Sequence, residues 1–286
     1  MPGTLYIVGT PIGNLGDFSE RGKETLRQVD FICAEDTRVT AKLLNHFEIR
    51  SELVSYHEHN RMEKGPGIVE RLLAGESCAV VTDAGMPAIS DPGIDLVRLA
   101  REAGVPIATV PGPTAVATAL AFSGMNVTRF SFEGFLTVNK PKRRQHLEEL
   151  KSEKKTMVFY EAPHKLVSTL RDLYETLGDR RIAIIKELTK IHESAVLTTL
   201  SEAVTLFGDG RIKGEFVLIV EAKTEEELAA EAPQTDPVAL ARSLMAAGLS
   251  LNEAAKRAAK ETGAKKGDVY RALTAEDGGE DGAPDA

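Results

Sequence analysis

The sequence predicts an α/β protein of two domains, a parallel-sheet domain followed by a mixed-sheet domain, with a small helical module behind them. Three observations carry this. As far as Val110, short apolar runs alternate with helical patterns, the signature of βαβ units. From Arg129 to Ala222 the apolar runs are longer and their connections more varied, which suits a mixed sheet. After a glutamate-rich stretch, residues 236–275 lose strand character and read as two or three short helices.

The elements follow in order. TLYIVG (4–9) is a strand ending in glycine, with a helical stretch after it. FICAED (31–36) is a strand ending in acids, and Arg38 to Phe47 reads as a helix. SELVSYH (51–57) is the third strand, and a helix over 66–74 is closed by Gly75. CAVVTD (78–83) follows; Asp91-Pro92 then starts a helix, with Asp as cap and Pro at the first helical position, and the helix runs to Ala103. PIATV (106–110) closes the first domain, expected at 1–112.

The second domain, expected at 113–223, opens with the small-residue helix of PGPTAVATALAFSG. RFSFEGF (129–135), TMVFYEA (156–162), RIAIIKEL (181–188) and GEFVLIVEA (214–222) are its strands. NKPKRR (139–144) reads as an exposed basic loop, and a helix runs to Leu177. An acidic linker is expected at 224–235, a helix-turn-helix-like module at 236–275 and a disordered acidic tail at 276–286. In the module Gly248 marks a turn, Ser250 caps a helix, and Glu253 completes a capping box. Ala239, Leu240, Leu244, Ala254, Ala255, Ala258, Val269 and Leu273 are its candidate core.

Composition narrows the function classes. Hydrophobic residues at 42% and charged residues at 27% describe a globular chain, not a disordered one. No apolar stretch reaches the roughly 20 residues of a membrane span, so no membrane partner is expected. MPGTLYIVGT lacks the basic n-region of a signal peptide, which points to a cytoplasmic protein. Cys33 and Cys78 lie in apolar runs and read as buried reduced thiols; no Cys/His spacing suggests zinc, so no metal is expected. The net charge of −8 argues against a polyanionic partner until it is located. Residues 224–235 and 276–286 together hold nine acids and no base, so the rest of the chain is close to neutral, and residues 236–275 carry seven Lys/Arg against four Asp/Glu. Local basic patches remain free to meet a nucleic acid.

Two loops carry the chemistry. GTPIGNLGD (9–17) is neither a dinucleotide fingerprint nor a phosphate loop, and Pro11 removes an amide where a phosphate cradle needs one. It suits either close backbone approach by a ligand or a plain strand–helix turn. VTDAGMPAISDPG (81–93) is more specific. Helix capping explains Asp91 and Pro92 but not Asp83-Ala-Gly at the carboxyl end of a buried strand, where open α/β sheets bind ligands.

TLYIVGTPIGNLGD, AEDTRVT, VTDAGMPAISDPG, PGPTAVATAL, FEGFL, FYEAPHKL, ELTK and GEFVLIVE occur in that order over residues 4–222. Together they resemble the tetrapyrrole methylase superfamily. GTPIGNL, AEDTR and DAGMPAISDPG look like its branch of ribosomal RNA small-subunit methyltransferases I. The resemblance implies a tetrapyrrole-methylase-like fold, with S-adenosylmethionine between the two domains as methyl donor to a cytidine 2′-hydroxyl in the decoding region of 16S ribosomal RNA. It implies donor contacts at Pro11, Asp83, Gly85, Ile89, Ser90, Thr114, Ala115, Tyr160, Glu161, Leu188, Glu215 and Phe216, many through the backbone. It also implies a homodimer acting on the small ribosomal subunit.

The catalytic group stays open. A weakly acidic hydroxyl attacking a sulfonium methyl benefits from a base or a nearby cation. Asp36, Arg38 and Glu161 are the candidates; capping and a local pair with Arg38 explain Glu35 and Asp36 equally well. Arg38 suits bidentate phosphate binding. Lys140, Lys142, Arg143 and Arg144, with His164, are candidate RNA contacts beside the site, as are Lys256, Arg257 and Lys260 in the module; a solvated charge run is the alternative for the basic loop. His57 and His59 read as loop residues. Two other functions compete: C-methylation of a tetrapyrrole, and non-catalytic RNA binding.

Overall fold

The computed structural model describes residues 1–208, 212–224 and 236–277. The acidic linker, apart from Thr224, and the tail from Gly278 onward lie outside them. The chain divides into two compact units, Met1–Lys223 and Thr224–Ala286.

Within the first unit, β1 (Leu5–Val8), β2 (Phe31–Ala34), β3 (Glu52–Ser55), β4 (Cys78–Val81) and β5 (Ile107–Val110) form a parallel sheet in the order β3-β2-β4-β1-β5. FICA and CAVV are buried at every position because helices cover both faces. Ile32, Ala34, Ala79 and Val81 pack with Leu26 of α1 (Glu20–Gln28) and Leu44 of α2 (Thr37–His46). Phe31, Cys33, Cys78 and Val80 pack with Leu72 of α3 (Arg61–Leu73) and Leu96 of α4 (Gly93–Glu102). The two cysteines are buried free thiols, and a contact with Cys33 together with burial pushes the Cys78 thiol up. Helix α3 begins at Arg61, earlier than the expected 66, and carries Pro66 inside it. Gly65 seats the helix: a Cβ there would lie 2.7 Å from Leu99 Cδ1. Helix α4 starts one residue later than expected, with Pro92 as its cap.

Adjacent strands β1 and β4 send their following helices, α1 and α4, to opposite faces. That makes the crevice between them a topological switch point, the position where such sheets bind ligands.

The second sheet contains β6 (Phe130–Phe135), β7 (Thr156–Glu161), β8 (Arg181–Lys186), β9 (Ser194–Thr199) and β10 (Phe216–Val220), in the order β6-β7-β10-β8-β9. Only the β6–β7 pair is parallel, so the sheet is mixed. One face packs on α6 (Lys140–Glu149), α7 (Leu166–Leu177) and α8 (Leu200–Phe207) through Leu147, Leu170 and Ala203. The other face, with Val158, Ile185 and Val217, is covered by Ala119 and Leu120 of α5 (Ala115–Phe122) and by Ile12. Ile12 belongs to the loop after β1, so that loop is anchored in the second core; burying such a side chain contributes about 2 kcal/mol.

Strand β9 and helix α8 were not expected from the sequence. SAVLTT is a half-buried edge strand and carries a weak apolar signal. NKPKRR is not a loop. Asn139 accepts the Lys142 amide and Pro141 occupies the first turn, so most of the run is the start of α6.

The second unit contains α9 (Pro237–Ala246), α10 (Leu251–Thr262) and α11 (Lys266–Asp277). Asp236 and Ser250 cap the first two helices through their side chains. The core is alanine-rich: Ala241, Ala254, Ala255, Ala258 and Ala259 with Val269 and Leu273. Ala239, an expected core residue, is exposed, and Ala241 takes its place.

Candidate functional site

The loops leaving β1 and β4 are joined at the switch point. Thr10 and Gly85 form an isolated antiparallel bridge, with Thr10 N donating to Gly85 O at 2.9 Å and Gly85 N to Thr10 O at 3.2 Å. The loop after β5 closes on the same place. A Cβ on Gly9 would lie 2.7 Å from Gly112 N and Cα, and one on Gly112 would lie 2.8 Å from the backbone of Gly9. Gly112 N also donates to Met86 Sδ at 3.2 Å.

The loop after β4 is held in strain. Ala88 (φ 67°) and Ser90 (φ 63°) both sit in the left-handed region. Asp91 pins them: its carboxylate accepts the amides of Ala88 at 2.9 Å, Ile89 at 3.2 Å and Gly93 at 2.8 Å. Backbone strain maintained by surrounding bonds is a feature of ligand sites. The β8–β9 turn is a second such loop, with Glu187 (φ 53°) and Thr189 (φ 66°). It presses on the loop after β1: a Cβ on Gly13 would lie 2.6 Å from Lys190 Cγ. Lys190 Nζ is fixed by Glu187 and Glu215, each at 3.0 Å. The Thr189 hydroxyl is buried there without a hydrogen-bond partner.

The acids at the ends of β2 and β4 also converge. The Asp36 amide donates to Asp83 Oδ1 at 3.1 Å, and the Thr82 hydroxyl donates to Glu35 at 2.6 Å. Asp36 caps α2 and takes the Arg38 guanidinium on both carboxylate oxygens. These bonds to Arg38 hold its carboxyl down to about 2. So weak a base is a poor proton acceptor, which argues against the catalytic role expected of Asp36 and for a positioning role. Asp83 differs. It is exposed by surface area, yet partial desolvation and the nearby Glu35 and Asp36 push its carboxyl up against the Asp36 amide bond.

A raised carboxyl costs folding stability when ionised. The cost is absent below the ordinary value of 3.8 and complete above the raised one. Asp83→Asn keeps an oxygen for the Asp36 amide, so at pH 7 it should hold or raise Tm while weakening ligand binding. Thermal melts and a binding titration on one preparation check both; a fall in Tm with unchanged binding would contradict the placement of Asp83 in the site.

Other expected site residues fall as follows. Pro11 and Gly85 are buried at the bridge, while Ile89 and Ser90 are exposed at the loop tip. Thr114 caps α5 through the Ala117 amide, and Ala115 opens that helix. Tyr160 is half-buried and stacks edge-on with Phe132 and Phe135; burial raises its hydroxyl. Leu188 and Phe216 are buried, Phe216 pairs in register with Glu161, and Glu215 is exposed. Glu161 is 4% exposed and its carboxylate is taken by the Thr169 hydroxyl and the Ala162 amide, a structural occupation that leaves it no opening to a reacting hydroxyl.

Arg38 is exposed and His164 lies on the surface of the turn after β7. Lys140, Lys142 and Arg144 are exposed on α6, but Arg143 is turned inward onto Asp172 and Thr169, against its expected role as a phosphate contact. Lys256, Arg257 and Lys260 are exposed on α10, Arg257 paired with Glu261. The His57 Nδ1 is buried without a partner and its ring lies 6.0 Å from that of His59. A cavity of about 740 Å³ is an open groove between α6 and α7 and does not lie at the loops. The loops mark the site better, because there strain, bared backbone and an orphaned hydroxyl coincide. Gly9, Gly112, Asp91 and Lys190 were not named as site residues from the sequence, Asp91 being read as a helix cap, although GTPIGNLGD, PGPTA, VTDAGMPAISDPG and ELTK contain all four.

The tetrapyrrole (corrin/porphyrin) methylase model matches residues 4–204. "Ribosomal RNA small subunit methyltransferase I" of Halalkalibacterium halodurans is 47% identical over 94% of this chain and 93% of its own length. The protein of the same name from Synechocystis is 44% identical over 94% of this chain and 96% of its own length. Uroporphyrin III C-methyltransferase from Thermus thermophilus shares the fold at TM-score 0.55 and 18% identity, over 77% of this chain and 97% of that one. The chain belongs to the tetrapyrrole methylase family, within the group of ribosomal RNA small subunit methyltransferases I.

Proposed function

We propose that the protein moves the methyl group of S-adenosylmethionine to the 2′-hydroxyl of a cytidine in the decoding region of 16S ribosomal RNA. The observation that carries this reading is the near full-length identity to relatives bearing the small-subunit methyltransferase name. The 18% identity to the uroporphyrin enzyme supports only a shared fold, so tetrapyrrole C-methylation is the weaker alternative. Non-catalytic RNA binding predicts no donor binding in calorimetry.

The residues at the switch point fit an amphipathic, zwitterionic donor. Pro11, Ile89 and Leu188 supply apolar surface, Gly85 and the Thr114–Ala115 turn supply backbone, Tyr160, Glu161 and Glu215 lie on the second sheet, and the orphaned Thr189 hydroxyl lies beside Gly13. The Phe216 ring packs on Phe207 in the core beneath α8, which leaves only its backbone for a donor contact. Bound there, the donor supplies an electrophilic methyl carbon. Much of the acceleration then comes from holding the ribose hydroxyl in line. Asp83, with its raised carboxyl and Ser90 on the same loop, is the group we place against the donor and the hydroxyl proton. Arg38, oriented by Asp36, holds a phosphate of the target strand. The reading gives no part to a metal.

Lys140, Lys142, Arg144 and His164 would contact phosphates beside the target, and Lys256, Arg257 and Lys260 would make a second contact. Replacing Lys140 and Arg144 by alanine should lower the salt slope of RNA binding by roughly 0.7–0.9 per contact and leave donor affinity unchanged, as filter binding across salt would measure. An unchanged slope would return α6 to a solvated face. We place the protein in the cytoplasm as a homodimer, so light scattering should give twice 30.9 kDa; the single value would contradict this. The reaction itself is tested by offering labelled donor with small ribosomal subunits and with uroporphyrinogen. Label in 16S RNA is expected; label only in the tetrapyrrole would overturn the proposal.

A further inference from the structure

The basic run on α6 is not uniform. Lys140, Lys142 and Arg144 are exposed and, among the described residues, have no carboxylate partner, whereas the Arg143 side chain is 12% exposed and engaged on two sides. Its Nε donates to Asp172 Oδ2 at 2.5 Å, and its Nη2 donates to the Thr169 hydroxyl at 2.8 Å. Thr169, fully buried, spends its own proton on Glu161, whose other oxygen accepts the Ala162 amide at 2.8 Å. Because arginine can only donate and Thr169 then accepts from it, the hydroxyl proton has one direction left, toward the carboxylate. A single chain of hydrogen bonds thus runs from α6 through α7 to the end of β7. There Glu161 pairs in register with Phe216, and the turn beyond it delivers His164 to the surface and Lys165 to the wall of the α6–α7 groove.

We infer that Arg143 is a positioning residue, not a phosphate ligand: through Thr169 it fixes the Glu161 turn, and so ties the RNA-facing helix to the donor side of the site. The inference rests on the functional reading above. Two alternatives for Arg143 make different forecasts. A phosphate ligand owes its effect to charge, which lysine keeps. A strut owes it to the planar fork that reaches Asp172 and Thr169 together, which lysine lacks.

Donor affinity and the salt slope of RNA binding are measured by calorimetry and filter binding on the full chain. Arg143→Lys and Thr169→Val should each weaken donor binding about tenfold, the scale of losing a buried charge-assisted bond, with the salt slope at the wild-type value. Thr169→Ser, which keeps the hydroxyl, should restore donor affinity. Arg144→Ala should do the opposite, lowering the slope and sparing donor affinity. Wild-type donor affinity in folded Arg143→Lys or Thr169→Val would overturn the inference, as would an Arg143→Met variant that lowers the slope as much as Arg144→Ala. If Thr169→Val does not fold, Arg143→Lys and Thr169→Ser decide by the same criteria. Failure of the wild-type protein to bind donor at all would sink the functional reading instead.

Discussion

Gly112→Ala should reduce donor affinity more than tenfold and destabilise the first unit by about 1–3 kcal/mol, the range of overpacking a close-packed contact. The added Cβ would stand 2.8 Å from Gly9 C, Cα and O, all of them backbone, so no side-chain rotation relieves it. The loops after β1 and β5 must separate. Separation pulls on the Thr10–Gly85 bridge and on Ile12, which is anchored in the second core. Denaturant unfolding and a donor titration together check the expectation. Full stability with full affinity would mean that the close approach of the two loops is not needed for the site.

Asp91→Ala should be nearly as costly to binding and gentler on the fold. Its carboxylate holds three amides around Ala88 and Ser90, both at positive φ, and so opposes their relaxation. Losing a cap of this kind costs roughly 1 kcal/mol of stability, and releasing the loop relieves strain that offsets part of it. Donor binding should fall by about tenfold or more, because the loop must then be re-ordered at the moment of binding, at about 1–2 kcal/mol for each residue refixed. Asp91→Asn, able to accept but with one oxygen fewer, should fall between. A loop that retained its conformation and affinity in Asp91→Ala would show that packing alone maintains the strain.

The fold was legible where burial is symmetrical. FICA and CAVV are apolar at every position because helices cover both faces, and such runs alternating with helical patterns read as a parallel sheet. Legibility failed at edges and at ambiguous starts. SAVLTT pairs with β8 on one side only, so two of its six residues are exposed, the other four are only partly buried, and its pattern is diluted. NKPKRR holds the same kind of signal, a capping side chain with a proline close behind, that was read one residue early as a helix start at Asp91-Pro92; four cations concealed it. Of the site, the motif loops were visible as sequence, but their mutual contacts were not. Nothing in the chain order tells that Gly9 meets Gly112 or that Lys190 meets Gly13. The division of neighbouring Arg143 and Arg144 between an internal strut and a free cation depends on where α7 lies, and that is a tertiary fact.

The central claim is that this constellation of loops methylates a ribose hydroxyl of 16S ribosomal RNA. Its most direct test is a map of 2′-O-methylation along 16S RNA from a strain lacking the gene, compared with the same strain carrying the wild-type gene or the Asp83→Ala variant. The account predicts that one cytidine in the decoding region loses its mark in the deletion, regains it with the wild-type gene and does not regain it with the variant. A map unchanged by the deletion would contradict it.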